Sequence, residues 1–166
     1  TLNNPSAYGD PGNYGSQEDE FGFSVAISGN YAMVGAWGED SGLTEGGGGN
    51  RSGKAYIFNV TTGALVHTLN NPNAYLTETD DHFGYRVAMS GNYAIVGAYQ
   101  ERNSGPYNPA TSGLGKAYIF NVTTGALVHT LNNPNAYGTS AGDTFGIAVA
   151  ISSNYAIVSA YGEDDA

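Results

Sequence analysis

A 62-residue internal repeat constrains the fold of this chain more than any other sequence feature. The run Gly53–Tyr75 recurs without a change at Gly115–Tyr137. A second block, beginning FGFSVAISGNYAMVGAW in the first copy, starts at Phe21, Phe83 and Phe145. Chains of this kind stack copies of one supersecondary unit, and each copy relies on its neighbours to bury its apolar faces.

The repeat divides the 166 residues into two full copies and part of a third. Repeat 1 covers about residues 1–67, repeat 2 about 68–129, and the partial repeat 3 about 130–166. Thr1–Pro5 matches the end of a block that finishes at Pro72, and the third copy stops at the equivalent of Gly42. We therefore expect one repeat domain of about 2.7 copies. It is either a segment of a longer array or a chain whose third copy is completed by a neighbour.

The hydrophobic pattern of each copy predicts four β-strands. In the first copy they cover residues 21–27, 31–37, 54–60 and 64–69, and the first of them alternates large and small side chains. Gly and Asn at 28–30, and Thr-Thr-Gly at 61–63, suit tight hairpin turns. No segment shows a 3.6-residue period, so almost no helix is expected.

Four strands in about 60 residues form a sheet that cannot cover both of its own faces. The prediction is an all-β fold of antiparallel four-stranded blades in a β-propeller-like repeat array. A linear stack of sheets that never closes into a ring has the same period, so the repeat alone does not distinguish the two architectures.

A Phe-Gly pair is followed fourteen residues later by Gly-Ala in each of the first two copies. The pairs are Phe21-Gly22 with Gly35-Ala36, Phe83-Gly84 with Gly97-Ala98, and Phe145-Gly146 with Ser159-Ala160. This pattern resembles the FG-GAP repeat of integrin α-subunit propellers and their bacterial relatives. The resemblance implies propeller blades, an extracellular or cell-surface location, and a role in recognition or adhesion.

The chain departs from the family pattern at two places. The proline of the motif is replaced by an aromatic residue in each copy, and the third copy has Ser159 in place of glycine. Many family members carry a D-x-D-x-D-G calcium loop between the first two strands, whereas residues 28–30 and their equivalents contain no carboxylate. That family site is therefore not transferred to this chain, because Ca²⁺ takes six to eight oxygen ligands.

Composition excludes several kinds of partner and site. Fifteen Asp and Glu residues oppose five Lys and Arg, which gives a formal net charge of −10. Nucleic acids and anionic membranes attract a positive surface, so neither is expected as a partner. No apolar run has the length of a membrane helix, and the absence of cysteine excludes disulfides and thiolate metal sites.

Acidic side chains recur near the predicted strand ends and are candidate ligands for Ca²⁺. One precedes each Phe-Gly pair by two residues, and others follow the second strand of a copy. The candidates are Asp19, Asp40, Asp81, Asp143 and Asp164. The alternative is that an Asp before a strand accepts backbone N–H bonds in an Asx-turn.

Aromatic residues and glycosylation sequons give two further kinds of candidate. The second strand of each copy ends in Trp37, Tyr99 or Tyr161, which would either stack as a ladder between blades or contact sugar rings. Acceptor sequons for N-glycosylation begin at Asn50, Asn59 and Asn121.

The predicted function is structural rather than catalytic. The segment 138–142 matches G-x-S-x-G, but it lies in a polar loop and does not recur in the other copies, so no enzyme is predicted. Near-identical copies suit an extracellular structural or adhesive protein that self-associates through its repeats, as the subunit or a segment of a surface filament. The alternative is a closed-propeller recognition module that binds a glycan or protein through the variable loops 42–52 and 100–113.

Overall fold

A computed structural model describes residues 1–6, 19–39, 51–73, 80–101, 113–134 and 142–163. These residues form ten β-strands and no helix. None of them belongs to a helix long and apolar enough to cross a membrane. The strands are β1 Phe21–Ser28, β2 Tyr31–Ala36, β3 Lys54–Asn59, β4 Leu65–Asn70, β5 Arg86–Ser90, β6 Tyr93–Ala98, β7 Lys116–Asn121, β8 Leu127–Asn132, β9 Phe145–Ser152 and β10 Tyr155–Ala160.

The strands form three antiparallel sheets, one for each copy of the repeat. Sheet 1 has the order β1-β2-β3-β4, sheet 2 the order β5-β6-β7-β8, and sheet 3 contains β9 and β10. The all-β fold and the four-stranded blades predicted from the sequence are confirmed. The described sheets do not close into a ring.

The sheets stack face to face, chiefly through their first strands. Strand β5 packs on β1, and β9 packs on β5 and β6. The core between sheets 1 and 2 is built from both of the facing surfaces, including Met33, Ile57, Leu69, Phe83, Val87, Tyr118 and Phe120. The core between sheets 2 and 3 includes Ile95, Ala117, Ile119, Phe145, Val149, Ile151 and Val158.

Glycine permits a very close approach between neighbouring sheets. A Cβ at Gly35 would lie 2.0 Å from the carbonyl oxygen of Gly84, and one at Gly97 would lie 2.0 Å from that of Gly146. Gly84 has a φ of 91°, and its own Cβ would lie 2.3 Å from the Lys54 carbonyl oxygen. The Phe-Gly pair of one copy therefore sits directly on the Gly-Ala pair of the preceding copy, at a distance that no larger residue allows.

Candidate functional site

Each described repeat contains an Asp–Asn pair, and in repeats 2 and 3 this pair joins the preceding sheet to the next one. Asp81, which precedes the Phe-Gly pair of repeat 2, is buried, and its Oδ2 accepts a 3.1 Å hydrogen bond from Nδ2 of Asn71 at the end of sheet 1. The equivalent hydrogen bonds are Asn4 to Asp19 at 2.8 Å and Asn133 to Asp143 at 3.1 Å. The pair fixes the point where the chain leaves one sheet and enters another.

A buried Lys–Glu pair lies beside it in the complete sheets. Lys116 Nζ is 3.0 Å from Oε1 of Glu101, a residue that is only 1% exposed. Tyr118 and Asn73 also donate hydrogen bonds to that oxygen. In sheet 1 the equivalent distance, from Lys54 Nζ to Glu39 Oε1, is also 3.0 Å.

The tyrosine next to this pair is held in its neutral form. Burial raises the pKa of Tyr56 far above its usual value, and the nearby Glu39 and Asp19 carboxylates raise it further. The hydroxyl of Tyr56 donates a 3.1 Å hydrogen bond to Ser6 Oγ. It is therefore a hydrogen-bond donor at physiological pH.

Of this cluster only the aspartates were predicted from the sequence, as candidate metal ligands. Its Glu, Asn, Lys and Tyr members were missed. These partners could have been found from the sequence, because in the two complete copies they recur at the same spacing from the acidic residues.

The Ca²⁺ site stays a prediction. Asp19, Asp81 and Asp143 each accept a hydrogen bond from an Asn side chain, whereas Asp40 and Asp164 lie outside the described residues. In the described part of the chain, no three Asp, Glu or His side chains are grouped so that they could hold a metal ion.

Two of the three strand-end aromatics lie in one cluster of rings between sheets 1 and 2. This ring cluster comprises Phe23, Trp37, His82, Tyr85 and Tyr99. The His82 ring centroid is 4.6 Å from that of Trp37 and 5.2 Å from that of Tyr99. Tyr85 and Tyr99 are 4.4 Å apart. Tyr161, the third predicted binding aromatic, lies apart from these rings and is 86% exposed.

Two arginines cap the ring cluster. The guanidinium carbon of Arg51 lies 5.5 Å from the centre of Trp37, and that of Arg86 lies 4.7 Å from the centre of Tyr85. Cation–π contacts of this kind stabilise a packed ring cluster. Trp37 therefore contacts rings of repeat 2 across the boundary between sheets, whereas Tyr99 packs on His82 and Tyr85 of its own repeat. A role of these aromatics in binding sugar stays a prediction.

The imidazole of His82 is buried inside the ring cluster. It is 6% exposed, and neither ring nitrogen makes a hydrogen bond with the described residues. Burial lowers the pKa of His82 from 6.5 to about 4; the Arg51 guanidinium lowers it as well, while Asp80, 3.8 Å away, partly opposes the shift. The folded chain therefore holds a neutral His82 at neutral pH.

We expect His82 to make folding sensitive to acid. Below pH 6.5 the unfolded chain binds a proton at His82, while the folded chain stays unprotonated there until about pH 4. The free energy of unfolding should therefore fall as the pH drops through this window, by up to about 3 kcal/mol. Urea denaturation of the parent and of His82→Phe, which keeps a ring in the cluster, at pH 7, 5.5 and 4 measures this. Identical pH profiles for the two proteins would show that His82 is not responsible.

The described sequon asparagines shape hairpin turns. Oδ1 of Asn59 accepts hydrogen bonds from the backbone N–H groups of Thr61 and Thr62, and Asn121 makes the same bonds in repeat 2. Asn50 lies outside the described residues. Glycosylation at the three sites stays a prediction.

The sequence matches the model of one known protein family. The family model of the FG-GAP repeat matches residues 13–58, 74–120 and 135–166, which is more than half of the chain. No curated protein matches the sequence. Among solved structures, the chain is similar to the computationally designed Ika4 protein, with 11% identity, 89% of each chain covered and a TM-score of 0.36.

Proposed function

Because this chain belongs to the FG-GAP repeat family, we propose that it is a non-enzymatic, extracellular structural or adhesive protein. In this proposal it assembles with other copies of the same repeat as the subunit or a segment of a surface filament. Repeats of this family typically occur in extracellular domains and are generally non-enzymatic.

The observation that supports self-association is the exposure of apolar faces at both ends of the stack. Ile157 of sheet 3 is 72% exposed, whereas its equivalent in sheet 2, Ile95, is fully buried against sheet 3. At the other end, Val25 and Ile27 of sheet 1 are 66% and 70% exposed, whereas Val87, the equivalent of Val25, is 7% exposed.

These two end faces correspond to the two sides of the contact that holds the sheets together inside the chain. Contiguous apolar surface of this kind marks an interaction site in a soluble protein. Because the two faces differ from each other, contact between copies joins unlike surfaces, and such contacts generate open-ended assemblies or rings.

A further sheet cannot pack on sheet 3 as closely as sheet 3 packs on sheet 2. Position 159 is serine, while the equivalent Gly35 and Gly97 leave no room for a Cβ beside the next Phe-Gly pair. A fourth sheet would have to sit further from sheet 3 than sheet 3 sits from sheet 2.

We expect the chain to form assemblies whose size grows with protein concentration. Sedimentation velocity over a concentration series, together with negative-stain microscopy, measures this. Val25→Asp and Ile157→Asp should both reduce assembly without unfolding the monomer, because both side chains are exposed. Thr61→Asp adds the same charge at an exposed turn and should leave assembly unchanged. Finding compact monomers at every concentration would contradict the filament proposal.

A further inference from the structure

Three side chains meet at one oxygen atom in the buried polar cluster of repeat 2. Oε1 of Glu101 lies 3.0 Å from Lys116 Nζ and 3.0 Å from Asn73 Nδ2, and it also accepts a hydrogen bond from Tyr118. Because the amine nitrogen and the amide nitrogen both contact the same atom, they are no more than about 6 Å apart. The fold therefore holds an amine, a carboxylate and a primary amide together.

The amine and the carboxylate of this group are buried. Glu101 is 1% exposed and Lys116 is 7% exposed. Oε2 of Glu101 is also buried, and it has no hydrogen-bond partner among the described residues. Two charges buried in this way lose their hydration, and transfer of a proton from the ammonium to the carboxylate removes both of them. That transfer leaves a free electron pair on Nζ of Lys116, which makes the lysine a nucleophile.

The primary amide of Asn73 is the electrophile within reach of this lysine. Asn73 follows the last strand of sheet 1, whereas Lys116 begins β7 of sheet 2. The lysine side chain is long and flexible, so rotation about its bonds carries Nζ from the carboxylate to Cγ of Asn73. Because the fold already holds the two groups together, their approach costs little translational entropy.

We propose that Lys116 and Asn73 form an intramolecular isopeptide bond, with Glu101 as the acid and base of the reaction. Nζ of the neutral lysine attacks Cγ of Asn73, and a new C–N bond forms. The bond between Cγ and Nδ2 then breaks, and protonated Glu101 gives its proton to the departing nitrogen. The new amide nitrogen releases one proton to the ammonia, which leaves as ammonium, and Glu101 is again a carboxylate. No group is oxidised or reduced.

Glu101 is in position for both of its proton transfers. Its Oε1 is 3.0 Å from the nitrogen that loses a proton and 3.0 Å from the nitrogen that gains one. Both distances lie in the range over which a side chain acts as a general acid or base. Tyr118 donates a hydrogen bond to the same oxygen. The bond ties the segment that follows sheet 1 covalently to β7 of sheet 2.

Repeat 1 contains the same ion pair without the amide. Lys54 Nζ is 3.0 Å from Oε1 of Glu39, and the position equivalent to Asn73 is Ser6, which accepts a hydrogen bond from Tyr56. A serine hydroxyl offers no carbonyl carbon to the lysine, so this bond cannot form in repeat 1. The two complete repeats therefore differ in the one group that the reaction consumes.

Mass spectrometry of the denatured full chain tests the proposal. After incubation of the folded chain at neutral pH, we expect a mass about 17 Da below that of the sequence, because one ammonia molecule is lost. Trypsin should then yield a species in which the segments 55–86 and 103–166 are joined, since it does not cleave at an acylated lysine. The chain has no cysteine, so a disulfide cannot account for the link.

Matched variants assign the three roles. Asn73→Ser copies the residue of repeat 1, so it should fold, keep the full mass and give separate tryptic peptides. Lys116→Met should also keep its full mass, whereas Lys54→Met, at the equivalent position of repeat 1, should still lose one ammonia. Glu101→Gln should slow the loss of ammonia by at least about 100-fold, because an amide cannot carry the protons.

A gain of the bond in repeat 1 is a further test. Ser6→Asn places an amide beside the Lys54–Glu39 pair, and we expect the total loss to rise to about 34 Da through a second link. Loss of only one ammonia in this variant would contradict the role assigned to the shared geometry.

Three results would overturn the proposal as a whole. The first is a parent chain that retains its full mass after prolonged incubation. The second is a loss of ammonia without a link between two peptides, which indicates that an asparagine has cyclised onto its own backbone. The third is an Asn73→Ser chain in which Lys116 is still linked. All three concern a bond within one chain, so they leave the sedimentation test of assembly unaffected.

Discussion

Replacing Gly97 by serine should release sheet 3 from sheet 2. A Cβ at this position would lie 2.0 Å from the Gly146 carbonyl oxygen, which belongs to the backbone and cannot rotate away. The two sheets must therefore move apart, and the apolar contacts of Phe145 and Val149 are lost with them. We expect a loss of at least about 3 kcal/mol in the free energy of unfolding, or local detachment of β9 and β10.

The chain provides a matched control at the equivalent position of the third copy. Ser159→Gly makes the reverse change where the described residues place no further sheet, so it should alter stability by less than about 1 kcal/mol. Denaturant unfolding gives the free energies, and hydrogen exchange in Phe145–Ser152 reports detachment. A Gly97→Ser protein as stable as the parent would refute the close glycine contact.

Replacing Glu101 by glutamine should be similarly damaging. The substitution keeps the shape of the side chain but removes the negative charge 3.0 Å from Lys116 Nζ, in a site where the Glu101 residue is only 1% exposed. Breaking a buried ion pair from one side typically costs about 3–5 kcal/mol, because the remaining charge stays desolvated. Thermal or denaturant unfolding of the variant measures the loss.

Two further variants separate charge from shape. Adding Lys116→Met to Glu101→Gln should recover part of the lost stability, since no buried charge then faces the amide. Glu163→Gln, at the equivalent position in sheet 3, should cost less than about 1 kcal/mol, because no described lysine contacts that carboxylate. Equal losses from Glu101→Gln and Glu163→Gln would contradict the role assigned to the lysine.

The strands could be predicted from the sequence because their signals are local. Alternating side chains in β1 and the Gly-Asn turn after it depend on neighbours a few residues apart. The FG-GAP resemblance rested on the same local motifs, and the match of the family model confirms it.

The buried polar cluster could not be predicted because its partners are brought together by sheet packing. Glu101 meets Lys116 and Tyr118 only because β7 packs beside the end of β6, and no local sequence pattern predicts a contact between residues 15 or 17 positions apart. The acidic residues were therefore interpreted as candidate metal ligands. Their amide and ammonium partners became visible only in the folded sheets.

The exposure of the end faces also lay beyond sequence reasoning. Val25 and Val87 occupy equivalent positions with the same residue type, yet one is 66% and the other 7% exposed. The difference arises because sheet 1 packs on Val87, whereas no described sheet packs on Val25. The residue type is the same at both positions, so it could not predict the exposure.

Self-association through the exposed end faces is tested most directly by sedimentation velocity of the parent chain and of the Val25→Asp and Ile157→Asp variants at rising concentration. We expect assemblies that grow with concentration in the parent and smaller species in both variants, because each variant places a charge on an apolar face that is exposed at one end of the stack. Parent monomers at every concentration, or assemblies that neither variant changes, would contradict self-association through these faces.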